Sequence, residues 1–293
     1  MPELPEVENT VRSLKRLIIG SRIKRVWTDT PSLIRCGSLQ NLQQIIQDKK
    51  ILNIQRRAKN IIFVLEKECS LLIHLKMTGH LLIGEWHIKK IKNKTTAIPV
   101  SDGALSEKVN GYIHFIFYLD DGREVALSDM RKFAKIIFGT QKEIYNESGV
   151  YNAGEEATEI QFNAFSAILS NSPKKIKSLL MDPYKIAGIG NIYSDDILFK
   201  AKIHPLRIAN TLSKKEIKVI YNAMKNILAL AIRLGGTSIS DYRNIEGKRG
   251  HYGDRRLVYK RDGKECFVCK SHIQRIKVGG RSARFCPSCQ LLC

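Results

Sequence analysis

Residues 112–128 read Tyr-Ile-His-Phe-Ile-Phe-Tyr-Leu-Asp-Asp-Gly-Arg-Glu-Val-Ala-Leu-Ser. Two β-rich runs, Tyr112–Leu119 and Glu124–Ser128, flank Asp120-Asp121-Gly122. That tripeptide is a hairpin signal, because glycine accepts the positive φ of a tight turn. Four similar runs precede it: Ile23–Trp27, Ile51–Gln55, Ile61–Leu65 and Leu71–Leu75. A helix opens the series. Within Pro5–Ile18, the side chains Val7, Val11, Leu14, Leu17 and Ile18 share one face at helical spacing. Pro5 suits the first turn and Glu6 its positive end. The segment 1–150 therefore predicts a mostly antiparallel sheet domain with an N-terminal helix.

Working outward, Trp86–Asn110 carries Lys89, Lys90, Lys92 and Lys94 and reads as an irregular basic loop. A mobile loop near DNA and a solvated insertion both account for it. From about Thr158 the apolar period becomes helical. Ser213 and Glu216 form a capping-box pattern ahead of a stripe of Ile217, Ile220, Met224, Ile227, Leu228 and Ala231. Gly235-Gly236 ends that helix, and Gly236–Gly253 reads as a loop rich in glycine and charge. A small module follows from about Arg255. The expected division is 1–150, 151–254 and 255–293.

Lysine and arginine number 49 against 28 acids, a formal charge of +21. A surplus of this size suits a polyanionic partner, since phosphate contacts release counterions. A solvated basic surface is the plainer alternative. Apolar residues make up 43%, enough for sizeable cores. No apolar run reaches the roughly 18 residues of a membrane helix, and Met-Pro-Glu-Leu-Pro-Glu lacks a signal-peptide core, so a cytoplasmic monomer without membrane contact is expected.

Of the seven cysteines, Cys36, Cys69 and Cys293 are scattered. The other four form Cys266-Phe-Val-Cys269, sixteen residues, then Cys286-Pro-Ser-Cys289. Two Cys-x-x-Cys knuckles at this distance can close four thiolates around one Zn2+. Four thiolates leave no open coordination position, so the zinc would be structural. Lys264, Lys270, Arg275, Lys277, Arg281 and Arg284 surround the knuckles and make nucleic-acid contact plausible. Zinc ribbons also serve RNA-binding and purely structural proteins.

Removal of Met1 would present Pro2 as a secondary amine. Such an amine can attack a sugar C1′, and the resulting iminium is an electron sink for elimination. Glu3 and Glu6 are candidates for proton transfer beside it. Read locally, proline and glutamate before a helix are also ordinary capping chemistry.

Met-Pro-Glu-Leu-Pro-Glu-Val-Glu resembles the opening of the formamidopyrimidine-DNA glycosylases. Further motifs of that family follow in order. Gln55-Arg-Arg-Ala-Lys59 resembles its catalytic-lysine motif, and His74-Leu-Lys-Met-Thr-Gly79 its Met-bearing loop. Asp129-Met-Arg-Lys-Phe-Ala134 resembles its Arg–Phe loop. Gly188-Ile-Gly-Asn-Ile-Tyr193 resembles the turn of its helix–two-turns–helix unit. Gly279-Gly-Arg-Ser-Ala-Arg-Phe-Cys-Pro-Ser-Cys289 resembles its zinc-finger hairpin.

The resemblance implies an α+β fold. An N-terminal β-sandwich with flanking helices would face a helical helix–two-turns–helix domain, with its lesion loop, and a four-cysteine zinc finger across a basic cleft. It implies a bifunctional glycosylase and abasic-site lyase that removes 8-oxoguanine and formamidopyrimidines from double-stranded DNA. Pro2 would form the Schiff base, Glu3 would be the general acid, and Glu6 would shape the site. Lys59 would assist base loss and β-elimination, and Arg281 would hold a phosphate and assist δ-elimination. Met77, Arg131 and Phe133 would fill the gap left by the extruded base, while Asn191 and Lys177 would contact DNA.

Some positions depart from the family pattern. Met130 and Ala134 stand where proline and glycine are usual, Asp195-Asp196 replaces Ala-Glu, and Asn110 lies near the place of a DNA-contacting histidine. Two other readings are an endonuclease VIII-like glycosylase for oxidised pyrimidines and a non-catalytic binder of damaged DNA. Leu4, Arg131 and Phe133 argue against the first. Joint retention of Pro2, Glu3 and Lys59 argues against the second.

Overall fold

A computed structural model describes residues 1–91, 94–239 and 241–292. The chain forms two compact units: Met1–Tyr151 with Leu234–Gly253, and Asn152–Arg233 with Asp254–Cys293. This alters the expected division in two ways. Leu234–Gly253 belongs with the sheet unit, because Ile245 enters its apolar core. The finger packs in the same unit as the helices.

The first unit contains α1 (Leu4–Ile18), β1 (Ile23–Thr28), α2 (Leu39–Ile46), β2 (Ile51–Arg57), β3 (Asn60–Leu65), β4 (Cys69–His74) and β5 (His80–Gly84). It continues with β6 (Trp86–Ile91), β7 (Lys94–Pro99), β8 (Ile113–Leu119), β9 (Glu124–Ser128), β10 (Lys135–Thr140) and α3 (Gln141–Ser148). Two antiparallel sheets, in the orders β1-β8-β9-β5 and β10-β4-β3-β2, make the sandwich. Its core interleaves Ile54, Phe63, Leu71 and Ile73 of one sheet with Leu81, Phe115, Phe117 and Leu127 of the other. Val7, Val11, Leu14 and Ile18 of α1 enter the same core, so the apolar stripe faces inward as its spacing requires, while Leu17 stays exposed.

The expected loop Trp86–Asn110 contains the β6–β7 hairpin, followed by short 3-10 turns at Ala104–Ser106 and Lys108–Asn110. Trp86 and Ala97 pack with Leu82, Ile113, Ile116 and Ala126 and anchor the hairpin stem. Lys92 lies outside the described residues, as does Cys293.

In the second unit, β11 (Glu155–Glu156) and β12 (Ile186–Ala187) form a short parallel pair. The helices are α4 (Phe162–Ser170), α5 (Ile176–Leu180), α6 (Asn191–Ala201) and α7 (Lys214–Arg233). Glu216 accepts from Ser213 N at 2.7 Å and receives the Ser213 hydroxyl at 2.9 Å, while Glu216 N donates back to that hydroxyl at 3.3 Å. The capping box is therefore built, and the stripe behind it is buried. The hairpin of β13 (Gln274–Val278) and β14 (Arg281–Phe285) turns at Gly279-Gly280. No helix among the described residues is long and apolar enough to cross a membrane.

Candidate active site

The N-terminus of α1 is held by carboxylates. Glu3 is the N-cap residue, and its N–H donates to Glu6 Oε2 at 2.7 Å. Glu6 Oε1 accepts from Thr237 N at 2.7 Å, and the Glu6 carbonyl accepts from the Tyr242 hydroxyl at 3.1 Å. One carboxylate thus bridges the chain start and the segment Leu234–Gly253. Gly236 is required for this approach: its φ is +80°, and a Cβ there would stand 2.8 Å from Glu6 Oε1. Pro2, Glu3 and Glu6 are all buried, while Met1 is 39% exposed. Burial raises the Tyr242 hydroxyl well above the ordinary phenol range, so it acts as a donor.

Lys59 sits at the tip of the β2–β3 hairpin rather than within a strand, beyond the last paired residues Arg57 and Asn60. Arg56 Nη1 donates to the Ala58 carbonyl at 3.1 Å, and Asn60 Nδ2 to the Arg57 carbonyl at 3.1 Å. Ala58 takes φ +54°, which completes the turn. Arg56 also ties β2 to α1, its Nε lying 2.7 Å from Glu8 Oε2. Burial raises the Glu8 carboxyl, but bonds from Arg56 and Arg12 outweigh burial and leave it below the usual range. Beneath the tip, desolvation by burial and then the charges of Lys76 and Lys59 push His74 down to about 3. Its neutral ring accepts from Lys76 N at 2.9 Å.

The Met-bearing and Arg–Phe loops share one organiser. The Thr78 hydroxyl donates to Asp129 Oδ1, and Ala134 N donates to Asp129 Oδ2 at 2.8 Å. Arg131 N reaches Thr78 Oγ1 at 3.2 Å and Asp129 Oδ1 at 3.3 Å. These bonds shape the Arg–Phe loop despite Met130 and Ala134, with Lys132 at φ +54° absorbing the bend. Arg131 and Phe133 are presented outward, the guanidinium carbon 4.5 Å from the ring centre. Phe133 is 46% exposed, an unusual state for a large apolar side chain, and Met77 is half-buried. Asn110 is buried and structural. It joins His80, the Ala104 carbonyl at 2.7 Å and the Gly247 carbonyl at 3.1 Å.

The resemblance implied a DNA contact for Lys177; in the second unit this side chain is turned inward. Lys177 is fully buried and ion-paired with Asp195, and its ammonium lies 3.3 Å from Ser194 Oγ. The two acids of α6 explain their departure from the family pattern. Asp195 also accepts from Arg284 N at 3.1 Å. Asp196 accepts from the backbone of Leu257 and Val258 at 3.0 Å and of Tyr259 at 3.3 Å. Together they fasten the finger to α6. Burial raises the Asp195 carboxyl to about 7, against the opposing pull of Lys177 and the Arg284 amide. Asn191 starts α6, and its buried amide oxygen has no hydrogen-bond partner among the described residues. Arg281 stands exposed where β14 leaves its turn.

The sulfurs of Cys266, Cys269, Cys286 and Cys289 lie within 4.8 Å of one another. Val268 N and Cys289 N each donate at 3.4 Å to the sulfur of the preceding knuckle cysteine, Cys266 and Cys286. Hydrogen bonds from Ser271 and then Cys286 pull the Cys269 thiol down to about 6. Four converging sulfurs with backbone donors fit a tetrahedral Zn2+.

Carboxylates gathered at a proline chain start, together with a basic four-cysteine finger on a helical unit, define a DNA-processing enzyme. Three family models cover most of the chain: the formamidopyrimidine-DNA glycosylase N-terminal domain over residues 1–136, the H2TH domain of the same enzymes over 153–243, and the zinc finger found in FPG and IleRS over 263–291. The formamidopyrimidine-DNA glycosylase of Listeria innocua is 33% identical, over 99% of this chain and 100% of its own. That of Pelotomaculum thermopropionicum is 35% identical, over 99% of each. Among solved structures, Lactococcus lactis Fpg with abasic-site DNA superposes at a TM-score of 0.84 with 30% identity, covering 99% of this chain and 100% of that one. MutM (FPG) from Thermus thermophilus superposes at 0.80 with 31% identity, covering 99% and 98%. The chain belongs to the formamidopyrimidine-DNA glycosylase family and is a DNA glycosylase of base excision repair.

Sequence reasoning missed Thr237 and Tyr242, which complete the wall around Glu6. A threonine after two glycines was the available signal, and it read as loop. Thr78 and Asp129 stood inside quoted motifs, but their pairing depends on two loops meeting across 51 residues.

Proposed function

We propose that this chain excises 8-oxoguanine and formamidopyrimidines from duplex DNA and then cleaves the strand by β,δ-elimination. The observation that carries the reading is the carboxylate bridge at the chain start, where Glu6 holds the Glu3 amide on one oxygen and the Thr237 amide on the other. It fixes Glu3 beside Pro2. Relatives support the lesion class: a mutant of Lactococcus lactis Fpg is solved with Fapy-dG DNA, and MutM with carbocyclic 8-oxo-G DNA.

With Met1 removed, the Pro2 nitrogen attacks C1′ of the damaged nucleoside as the N-glycosidic bond breaks. The departing base takes a proton, and Glu3 protonates the sugar ring oxygen so that the ring opens to an iminium. Loss of a C2′ proton then expels the 3′ phosphate, a second elimination expels the 5′ phosphate, and water releases the sugar fragment from Pro2. Lys59 at its hairpin tip assists base loss and the first elimination, and Arg281 holds a phosphate for the second. Arg131, Phe133 and Met77 occupy the space of the extruded base. Asn191, at the start of α6, contacts a phosphate. The four cysteines would hold one structural zinc that fixes the β13–β14 hairpin, with no coordination position left for chemistry.

The test is incubation with duplex containing 8-oxoguanine opposite cytosine, followed by borohydride. A covalent adduct mapped to Pro2 is expected. An adduct on Lys59 overturns the nucleophile, and absence of any adduct or strand cleavage overturns the enzyme reading. Preference for an oxidised pyrimidine duplex would favour the endonuclease VIII-like alternative.

A further inference from the structure

Four large apolar side chains of the finger, Phe267, Val268, Leu291 and Leu292, are each 60–65% exposed, more than Phe133 on its loop. Single exposed apolar residues are ordinary, but four carried by one small module make a patch. The knuckles bring their segments together. Phe267 and Val268 follow Cys266, Leu291 and Leu292 come shortly after Cys289, and those two sulfurs lie 3.9 Å apart. The Ser271 and Ser288 hydroxyls, 2.7 Å apart, clip the two knuckles a second time. Phe267 is fixed from behind. The Arg261 guanidinium carbon stands 3.4 Å from its ring centre, and Arg261 is itself held by the carbonyls of Leu257 at 2.6 Å and Glu265 at 2.8 Å. One face of the ring is taken and the other is open. An aromatic oriented in advance loses little freedom on binding.

Charge selects the occupant. Residues 255–293 carry ten lysines and arginines against two acids. Lys260, Lys264 and Lys270 are exposed beside the first knuckle, while Asp262, one of the two acids, is ion-paired with Arg284 at 3.0 Å. A second copy of so basic a chain is repelled. Duplex DNA offers phosphate and sugar on its outside but no apolar surface for four side chains. Position agrees: Arg281 begins β14 at the turn, and Cys286 follows the far end of that strand, about 17 Å away along extended chain. The knuckle end and the turn that carries Arg281 can therefore be occupied together. We infer that the patch docks a short acidic segment of a partner protein. Apolar side chains of that segment rest on Phe267, Val268, Leu291 and Leu292, and its carboxylates meet Lys264 and Lys270.

The test uses the full zinc-loaded chain and a synthetic peptide of about a dozen residues, in which aspartates surround a Phe-Ile-Leu core. One control peptide has asparagine for aspartate, and the other has serine for the apolar residues. The first variant combines Phe267→Ser, Val268→Ser, Leu291→Ser and Leu292→Ser, and should keep its zinc, its affinity for abasic-analogue duplex and its strand cleavage. By fluorescence anisotropy the unchanged chain should bind the acidic apolar peptide, more weakly as salt rises. The variant should bind it at least about tenfold more weakly, and both control peptides should lose at least about as much. A second variant, Lys264→Glu with Lys270→Glu, leaves the apolar surface intact and should weaken the same peptide, so the contact is tested even if the serine variant loses zinc. No binding by the unchanged chain, or equal binding by both variants or of either control peptide, overturns the proposal. Displacement of the peptide by duplex puts it on the DNA surface and overturns the proposal too. Patch-dependent binding of anionic lipid vesicles, or patch-dependent dimerisation, without peptide binding makes the occupant a membrane or a second copy and has the same result.

Discussion

The Thr78 hydroxyl donates to the Asp129 carboxylate, and both groups are shut away from solvent. The bond joins the loop carrying Met77 to the loop carrying Arg131 and Phe133, so the three side chains proposed to fill the gap left by the base depend on one buried carboxylate. Asp129→Asn turns an amide donor toward either Thr78 or the Ala134 N–H and leaves a buried group unsatisfied, at a cost of about 1–3 kcal/mol. Excision from duplex is expected to slow about tenfold or more under single-turnover conditions, while cleavage of a preformed abasic site slows less. Equal slowing on both substrates would contradict a role in holding the gap left by the base.

Asn110 fastens Leu234–Gly253 at a second point, through the Gly247 carbonyl. Gly247, at φ +80°, permits this, since a Cβ would stand 2.8 Å from Asn110 Nδ2. Asn110→Ala should raise KM for lesion duplex several-fold with a smaller change in kcat, because the loop must be ordered at the moment of binding. Amide hydrogen exchange over residues 244–250 should accelerate. Unchanged exchange there would show that the latch is idle.

Lys177 depends on Asp195 for its charge partner. Asp195→Asn leaves a buried ammonium without that carboxylate, a loss of about 3–5 kcal/mol for a pair of this kind. It also weakens the tie to Arg284. The second unit should melt lower and release zinc more readily to a chelator, measured by calorimetry and metal analysis. Wild-type melting and metal retention would remove the pair from the account of stability.

His74 provides a pH test. Its folded value of about 3 lies below its ordinary value of 6.5, so the unfolded chain binds the proton first as pH falls. The stability linked to His74 is complete above about 6.5 and is lost progressively toward 3. Burial also lowers His80, which contributes a slope of the same sign. The melting temperature of His74→Gln should therefore fall less between pH 6.5 and 4 than that of the unchanged chain. Parallel curves would exclude the effect.

Where interactions are local, the sequence carried the fold. The Asp120-Asp121-Gly122 turn, the α1 stripe apart from exposed Leu17, and the Ser213–Glu216 box formed as read, because each is decided within a few residues. The β6–β7 hairpin was hidden. Its residues Lys89, Lys90, Thr95 and Thr96 are polar, and no apolar alternation runs through them to mark a strand. The four cysteines were legible because a metal-ligand spacing is itself local. Lys177 was illegible for the opposite reason: a lysine in a basic chain reads as surface charge, and only the fold reveals Asp195 beside it. The partners of Glu6 and Asp129 come from distant segments, and nothing in the spacing of single residues announces them.

The bond between Glu6 and Thr237 spans 231 residues of chain. Its consequence concerns synthesis. The sandwich borrows Ile245 from a segment made after the helices Phe162–Ser170 through Lys214–Arg233, so a nascent chain paused before residue 234 lacks part of that core and one wall of the chain start. The helical unit is likewise completed only by the finger that follows. Neither half can finish alone, and a fragment released early by the ribosome holds every residue named for sugar chemistry except Arg281 while lacking the segment that braces them.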